Sequence, residues 1–218
     1  MYLSRLTLSR KPDIAALGQL LEPEHDGRRM DAHHRLIWSA FAGNHDARRD
    51  FLWRDMGRGQ FLVLSPREPR ESALFEEIDT KPFEPDLRYG DRLQILLRAN
   101  ATRTVTDADG RKRHRDVVME ALHPVPKGQR AAVRMEVAQD AGRQWLAGQG
   151  ARAGFEVDAA TVSSYRVAEP RRNGPRFGII DLQGAIKITD PEAFLSRVAQ
   201  GFGRAKAFGC GLMLIRRG

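Results

Sequence analysis

The chain has 218 residues, 41% of them hydrophobic, which is enough for one large core or two small ones. Its 36 Lys and Arg against 28 Asp and Glu give a formal net charge of +8, which favours polyanionic partners such as nucleic acid. The single cysteine, Cys210, excludes an internal disulfide, and no apolar stretch reaches the ~18 residues of a membrane helix. We therefore expect a cytoplasmic protein with no membrane partner.

The first half of the chain predicts the order βαββαβ. Tyr2, Leu3, Leu6 and Leu8, interleaved with polar residues, indicate a strand. After a polar connection over residues 22–30, a helix follows, with Asp31 as its N-cap. Its apolar face is formed by Met30, His34, Ile37, Trp38 and Phe41. The remaining predicted elements are strands at 51–54, 60–64 and 92–97 and a second helix at 72–78.

The second half predicts the same order again. Asp190-Pro191-Glu192 begins a helix with an N-cap, a proline in its first turn and an early acid. Asn173-Gly174 indicates a hairpin turn between two strands. The other predicted elements are strands at 97–106, 162–167, 177–188 and 212–215 and an amphipathic helix at 137–147. Residues 1–96 and 97–218 are therefore expected to form two domains.

Two βαββαβ halves indicate an α+β protein with tandem ferredoxin-like domains, each an antiparallel sheet with helices on one face. The fold alone implies no function. The RNA-binding RRM shares it, but the aromatic pair that an RRM stacks on bases is absent from this sequence.

A glycine-rich segment links the last predicted helix to the last strand. Glycines let the backbone approach a ligand and adopt positive φ, and added cations suit phosphate. The spacing fits neither a Walker loop nor G-x-G-x-x-G, and a helix C-cap followed by a tight turn is the structural alternative. The segment contains Gly201, Gly203, Gly209 and Gly211 with Arg204 and Lys206.

The pattern G-x-G-x-x-x-x-x-G-x-G-L over residues 201–212 resembles the signature loop of CRISPR repeat endoribonucleases. Further fragments, in their order and spacing, resemble the CasE type of that group. They are Met1-Tyr-Leu-Ser4, His34-Arg35 ahead of Trp38, Arg48-Arg-Asp-Phe-Leu-Trp53, Leu97-Arg-Ala-Asn100 and Gly209-Cys-Gly-Leu212. The resemblance runs from the first residue nearly to the last.

The resemblance implies an endoribonuclease that uses no metal and places a histidine at His34. Such an enzyme must deprotonate the 2′-hydroxyl, protonate the leaving 5′-oxygen and stabilise a dianionic transition state, and histidine can serve either proton transfer. Without the family, a histidine on an apolar face indicates a core residue. We expect His34 near the N-terminus of its helix, where the dipole favours a neutral base, and His33 pointing away from the apolar face. The family commonly has a tyrosine where this chain has Asp31.

Several cations are candidates for contact with the RNA backbone. They are Arg35, Arg204, Lys206, Arg171 and Arg172. The last two lie beside the predicted hairpin turn Asn173-Gly174. The resemblance implies an RNA contact there, because CasE-like proteins insert a basic hairpin of the second domain against the repeat stem. The four loop glycines are expected to present amides to phosphate. A further run, Arg111-Lys-Arg-His-Arg115 after the turn Asp109-Gly110, fits an RNA contact and a solvated face equally well.

The hypothesis from sequence is a metal-independent cut at the 3′ base of a CRISPR repeat stem-loop. The resemblance implies 2′,3′-cyclic phosphate and 5′-hydroxyl ends, with the enzyme retained on the mature crRNA beside other Cascade subunits. No metal site, small-molecule cofactor or membrane contact is expected. The alternatives are a non-catalytic RNA-binding subunit of the same fold and a basic structural protein of the ribosomal kind.

Overall fold

The computed structural model describes residues 1–43, 50–170, 174 and 176–218. The strands are β1 (Tyr2–Leu8), β2 (Leu52–Gly57), β3 (Gln60–Ser65), β4 (Phe75–Pro82), β5 (Arg92–Ala99), β6 (Thr102–Thr106), β7 (Lys112–Asp116), β8 (Phe155–Ala168), β9 (Phe177–Ile188) and β10 (Met213–Arg217). The helices are α1 (Pro12–Ala15), α2 (Gly18–Leu21), α3 (Asp26–Ser39), α4 (Val117–Ala121), α5 (Arg130–Ala153) and α6 (Pro191–Gln200). A 3₁₀ turn covers Lys206–Phe208.

The first sheet has the antiparallel order β2-β3-β1-β4, which is the strand order of a ferredoxin-like domain. Leu6 of β1 lies opposite Phe61 of β3, and both side chains are fully buried. Helix α3 covers this face and adds Leu36 and Ile37 to the core. This sheet and the helices α1, α2 and α3 form the first unit.

The second sheet has the order β10-β5-β9-β8, which repeats the same topology. Its core lies under α5 and α6, where Leu146, Phe155 and Phe194 are fully buried. A separate hairpin of β6 and β7 and the short helix α4 are inserted between β5 and α5. Together with this insertion, β5 and all the elements that follow it form the second unit. The predicted tandem ferredoxin-like fold is confirmed.

The predicted helix at 72–78 is wrong, because most of those residues lie in strand β4. Phe75 and Ile78 have helical spacing, yet β4 pairs antiparallel with β1, so that Ile78 lies opposite Leu6. The unpaired edge of β1 offers a ladder of backbone hydrogen bonds that local spacing does not reveal, and strand pairing therefore overrides the helical pattern. The first unit accordingly lacks the second helix of a complete βαββαβ repeat.

The predicted strand at 92–97 exists, but its assignment to the first half is wrong. It is part of β5, which pairs with β9 and β10 in the second sheet. The expected division at residues 96 and 97 would cut this strand in two. We propose a boundary in the connection between Pro82 and Arg92, where the chain passes from one sheet to the other.

Two glycines of α5 offer a matched test of how this helix packs on the second sheet. A Cβ atom at Gly142 would lie 2.6 Å from Ile180 Cδ1 and 2.8 Å from Val162 Cγ2. We expect Gly142→Val to lower the free energy of unfolding by about 2 kcal/mol through overpacking. Gly148→Ala, whose Cβ meets its nearest neighbour at 3.9 Å, should raise it by about 0.5–1 kcal/mol through helix propensity. Urea unfolding measures the free energy of unfolding of both variants. Equal changes would contradict the close packing of Gly142 on the second sheet.

Candidate nucleic-acid interface

The two units meet where the glycine-rich segment of the second unit lies against α3 and β2 of the first. Met30 of α3 packs with Ile179 and the fully buried Cys210, and Phe208 covers the same cluster. Burial raises the pKa of the Cys210 thiol to about 12, so this cysteine stays protonated and serves packing. Helix α3, which carries His34, and the glycine-rich segment are therefore adjacent although they are far apart in sequence.

The glycine loop, residues 201–211, needs its glycines for backbone conformation and for close packing. All four have positive φ, between 74° and 97°. A Cβ at Gly201 would lie 2.8 Å from the Leu52 side chain, and one at Gly209 would lie 3.2 Å from the Trp53 ring. Gly203 would bring a Cβ to 2.5 Å from the Asn100 carbonyl oxygen. Gly201 and Gly209 thus let the loop approach the first unit closely, and Gly203 lets it approach Asn100 of its own unit.

Several amides of the glycine loop are already committed to backbone acceptors. Gly211 N–H donates to the Arg98 carbonyl at 2.7 Å, Gly201 N–H to the Arg197 carbonyl at 2.9 Å and Gly209 N–H to the Lys206 carbonyl at 3.3 Å. Gly211 in turn accepts from Phe202 N–H at 2.9 Å. These bonds shape the loop, and the expected contact of the loop glycines with phosphate stays a prediction.

Helix α3 begins earlier than the sequence indicated. His25 is the N-cap, and its Nδ1 accepts a hydrogen bond from Gly27 N–H. The prediction of Asp31 as the N-cap is wrong; its carboxylate instead pairs with Arg35, one turn further on, at 2.8 Å. His34 therefore lies in the third turn, away from the helix N-terminus, and the dipole argument for a neutral imidazole does not apply to it.

The two adjacent histidines of α3 have different environments. His33 is 1% exposed, with Nε2 3.0 Å from Glu22 Oε1 and its ring edge-on to Phe61 at 4.7 Å. Burial lowers the pKa of His33, although the charges of Glu22 and Asp55 oppose it. The expectation that His33 points away from the core is wrong, because a spacing of four residues places it on the same face as Ile37.

His34 lies at the margin of the α3 core face. Its side chain is partly exposed, and its ring centroid lies 5.7 Å from that of Phe51. Trp38, one turn on, stacks on the same Phe51 ring at 6.3 Å. His34 is thus the histidine of the pair that borders solvent, as a residue meeting substrate must.

A buried ionic network, which sequence analysis missed, joins the two units beside this site. Asp181 of β9 accepts from Arg98 Nε at 2.9 Å and from Ser164 Oγ at 2.9 Å, and Arg54 of β2 reaches it at 3.3 Å. Burial alone would raise the pKa of Asp181, but the Arg98 hydrogen bond and charge, Ser164 and Arg54 hold it below the usual range. The arginine of Leu97-Arg-Ala-Asn100 was the one available signal.

The other predicted contact residues divide into three groups. Arg35 and Arg204 are exposed, and Lys206 Nζ donates to the Gln200 carbonyl at 2.5 Å. The predicted hairpin between β6 and β7 is present, but Arg113 pairs there with Asp107, and Arg115 with Glu120. Arg171 and Arg172 lie outside the described residues, so their expected RNA contact stays a prediction.

The described residues contain neither a metal-binding cluster nor a membrane-spanning helix. In residues 1–43, 50–170, 174 and 176–218, no group of three or more His, Cys, Asp and Glu side chains is arranged to hold a metal ion. Within the same ranges, no helix is long and apolar enough to span a membrane.

Comparison with known proteins settles the family. The family model for CRISPR associated proteins matches residues 1–217. The chain belongs to this family. It is 28% identical over 218 residues to the Escherichia coli "CRISPR system Cascade subunit CasE", covering 98% of each chain. It is 26% identical over 238 residues to the Thermus thermophilus "CRISPR-associated endoribonuclease Cse3", covering 99% of each.

A solved structure confirms the fold of this family member. Thermus thermophilus Cse3, bound to an RNA representing a pre-cleavage complex, matches with a TM-score of 0.67 at 22% identity. The match covers 99% of this chain and 98% of that one. The resemblance to the CasE group, inferred from short fragments of sequence, is thereby confirmed.

The Asp181 network is expected to stabilise the folded protein. Asp181→Asn leaves Arg54 and Arg98 buried without their carboxylate, and we expect it to lower the free energy of unfolding by about 3 kcal/mol at pH 7. Asp181 has a lowered pKa when folded, so its stabilisation is present above the unfolded-state pKa of about 3.9 and is lost as pH falls through the folded-state pKa. The difference between wild type and variant should therefore narrow below about pH 4.

Urea titrations across the pH range measure that difference. The control is Asp79→Asn, which breaks an exposed pair with Arg5 and should cost less than about 0.5 kcal/mol. A difference for Asp181→Asn as small as the control, or one that widens in acid, would contradict the assigned role.

Proposed function

We propose that this CRISPR-associated protein is a metal-independent endoribonuclease that cleaves CRISPR repeat RNA at the 3′ base of its stem. The observation that carries the proposal is the packing of the glycine loop, through Cys210 and Phe208, against Met30 of α3, the helix that also carries the partly exposed His34. Kinship with proteins named endoribonuclease Cse3 and Cascade subunit CasE supplies the substrate class and the partner complex.

In this proposal the chemistry depends on a histidine and cations. The 2′-hydroxyl attacks the adjacent phosphorus, and the bond to the 5′-oxygen breaks, which yields a 2′,3′-cyclic phosphate and a 5′-hydroxyl. His34 transfers a proton as general base or general acid. Arg204 and Lys206 stabilise the charge that develops on the phosphoryl oxygens. The enzyme then stays on the mature crRNA as a subunit of Cascade.

The surroundings of His34 support this assignment over His33. His33 is almost fully buried and both of its ring nitrogens lie beside carboxylates, those of Glu22 and Asp55, so it is poorly placed to exchange a proton with an RNA substrate. His34 borders solvent and is packed on one side by Phe51, which limits the orientations of its imidazole. A partly fixed ring beside bound phosphate is the arrangement that acid-base catalysis requires.

The second candidate is a non-catalytic RNA-binding subunit, favoured by one observation. Where the family commonly has a tyrosine, Asp31 stands with its carboxylate bound to Arg35 at 2.8 Å. A carboxylate near the scissile phosphate would repel it, unless Arg35 neutralises the charge. The pair Asp31–Arg35 is compatible with catalysis only in that neutralised form.

Replacement of His34 distinguishes these functions. We expect His34→Ala to slow cleavage of the cognate repeat hairpin by about 10²–10⁴-fold, because it removes the proton-transferring group, while hairpin affinity stays within about twofold. Single-turnover cleavage and filter binding measure the two quantities. His123→Ala, an exposed histidine beyond α4, is the control and should cleave at the wild-type rate. Unchanged cleavage by His34→Ala would refute its role.

The identity of the nucleophile is tested on the RNA. A 2′-deoxy substitution at the scissile nucleotide removes the attacking hydroxyl, and we expect cleavage to stop while binding persists. On unmodified RNA, cleavage should continue in excess EDTA, since no metal takes part in the proposed steps. Products are resolved by gel electrophoresis with phosphatase treatment to identify the ends. Cutting of the deoxy substrate would rule out 2′-hydroxyl attack.

A further inference from the structure

A groove of about 840 Å³ lies beside α5 in the second unit. We call it the α5 groove. Its lining includes Trp145 and five polar side chains of types that hydrogen-bond to nucleic acid, namely Thr102, Thr104, Gln144, Gln149 and Arg152. Gly203 of the glycine loop packs on Trp145, since a Cβ there would lie 3.4 Å from Cζ2. The groove therefore adjoins the glycine loop.

Three cations lead from the glycine loop to the α5 groove, and we call Lys206, Arg197 and Arg152 the cation row. Arg197 donates to Gln149 Oε1 at 2.9 Å, which places it one helical turn from Arg152 on the groove wall. Its guanidinium also lies over the Phe202 ring at 5.4 Å. Within the part of the chain that the structure describes, no carboxylate lies within 4.0 Å of any of the three cations.

The cations of the row repel one another. Burial and the nearby Arg152 lower the pKa of Arg197, and burial and Arg197 lower the pKa of Lys206. Arg103, which also lines the groove, is by contrast paired with the groove residue Glu120, and Glu120 also pairs with Arg115. A row of like charges with no carboxylate partner is stabilised electrostatically when it binds a polyanion.

We propose that the α5 groove and the cation row bind a single-stranded RNA segment that flanks the cut. This inference rests on the proposed function, because the proposed function places the cut near Lys206, where the cation row begins. One line of cations along a groove follows one phosphodiester strand, whereas a duplex presents two. The threonine hydroxyls and glutamine amides of the groove suit base edges and 2′-hydroxyls, which an acidic peptide lacks.

The test uses the full chain and a matched pair of variants. The double variant Arg152→Gln/Arg197→Gln removes two cations of the row. Arg143→Gln is the control, since Arg143 is exposed on α5 about 180° around the helix from Arg152. Thermal unfolding checks that each variant folds as the wild type does.

The probes are fluorescent RNAs with a 2′-deoxy scissile nucleotide, so that binding is measured without cleavage. One is the repeat stem-loop alone, two carry an eight-nucleotide extension on the 5′ or the 3′ side, and the fourth is the extension alone. We expect an extension to tighten wild-type binding about tenfold and the double variant to abolish that tightening. The slope of log affinity against log salt for the extended RNA should fall by about 1.4, at about 0.7 for each phosphate that is no longer neutralised.

The outcomes separate the inference from the proposed function. Equal weakening of the bare and the extended stem-loops would place the stem on the cation row and overturn the inference. No effect on any RNA would overturn it as well, and would favour an acidic protein partner. If the wild type does not bind the stem-loop, the proposed function fails. The groove is still tested, because binding of the extension alone should be weakened by the double variant and not by Arg143→Gln.

Discussion

The site depends on the ionic network in which Asp181 joins two arginines from different units. Arg98 belongs to the same sheet as Asp181, whereas Arg54 is contributed by β2 of the first unit. Side-chain exposures of 13% for Arg54 and 14% for Asp181 show that the network is largely removed from water. Charges in such a setting resist separation, because each would be left buried without its counter-charge.

This network and the glycine loop both contribute to the contact between the two units. Arg98 binds Asp181 through its side chain and holds Gly211 through its carbonyl, so one residue of β5 connects the network to the loop. The next polar residue, Asn100, donates to the Gly178 carbonyl at 2.8 Å and accepts from Arg204 N–H at 3.2 Å. The motif Leu97-Arg-Ala-Asn100 thus orients the loop, and the loop in turn packs against the strand that carries Trp53.

The glycine loop has the structural role that its glycines indicated, whereas the expected contact of its amides with phosphate stays a prediction. Its glycines provide close approach and positive φ, and several of its amides are occupied by carbonyls. In the proposed function, phosphate is recognised mainly by side chains, namely Arg204 and Lys206 at the loop and the cations that continue from it. His34 lies on α3, the helix that packs on this loop through Met30, so the proposed site would draw its proton-transfer group and its anion-binding groups from opposite ends of the chain.

The sequence by itself determined the family, the tandem fold class and the elements with strong local signals. Strand β9 and the N-cap and proline that begin α6 lie where their residues predicted, because alternation and capping are local properties. Only the tertiary structure decided which sheet receives β5, that residues 75–82 form a strand and that His33 points inward. Strand pairing, the burial of a helix face and the meeting of Arg54 with Asp181 depend on partners distant in sequence, which local spacing does not encode.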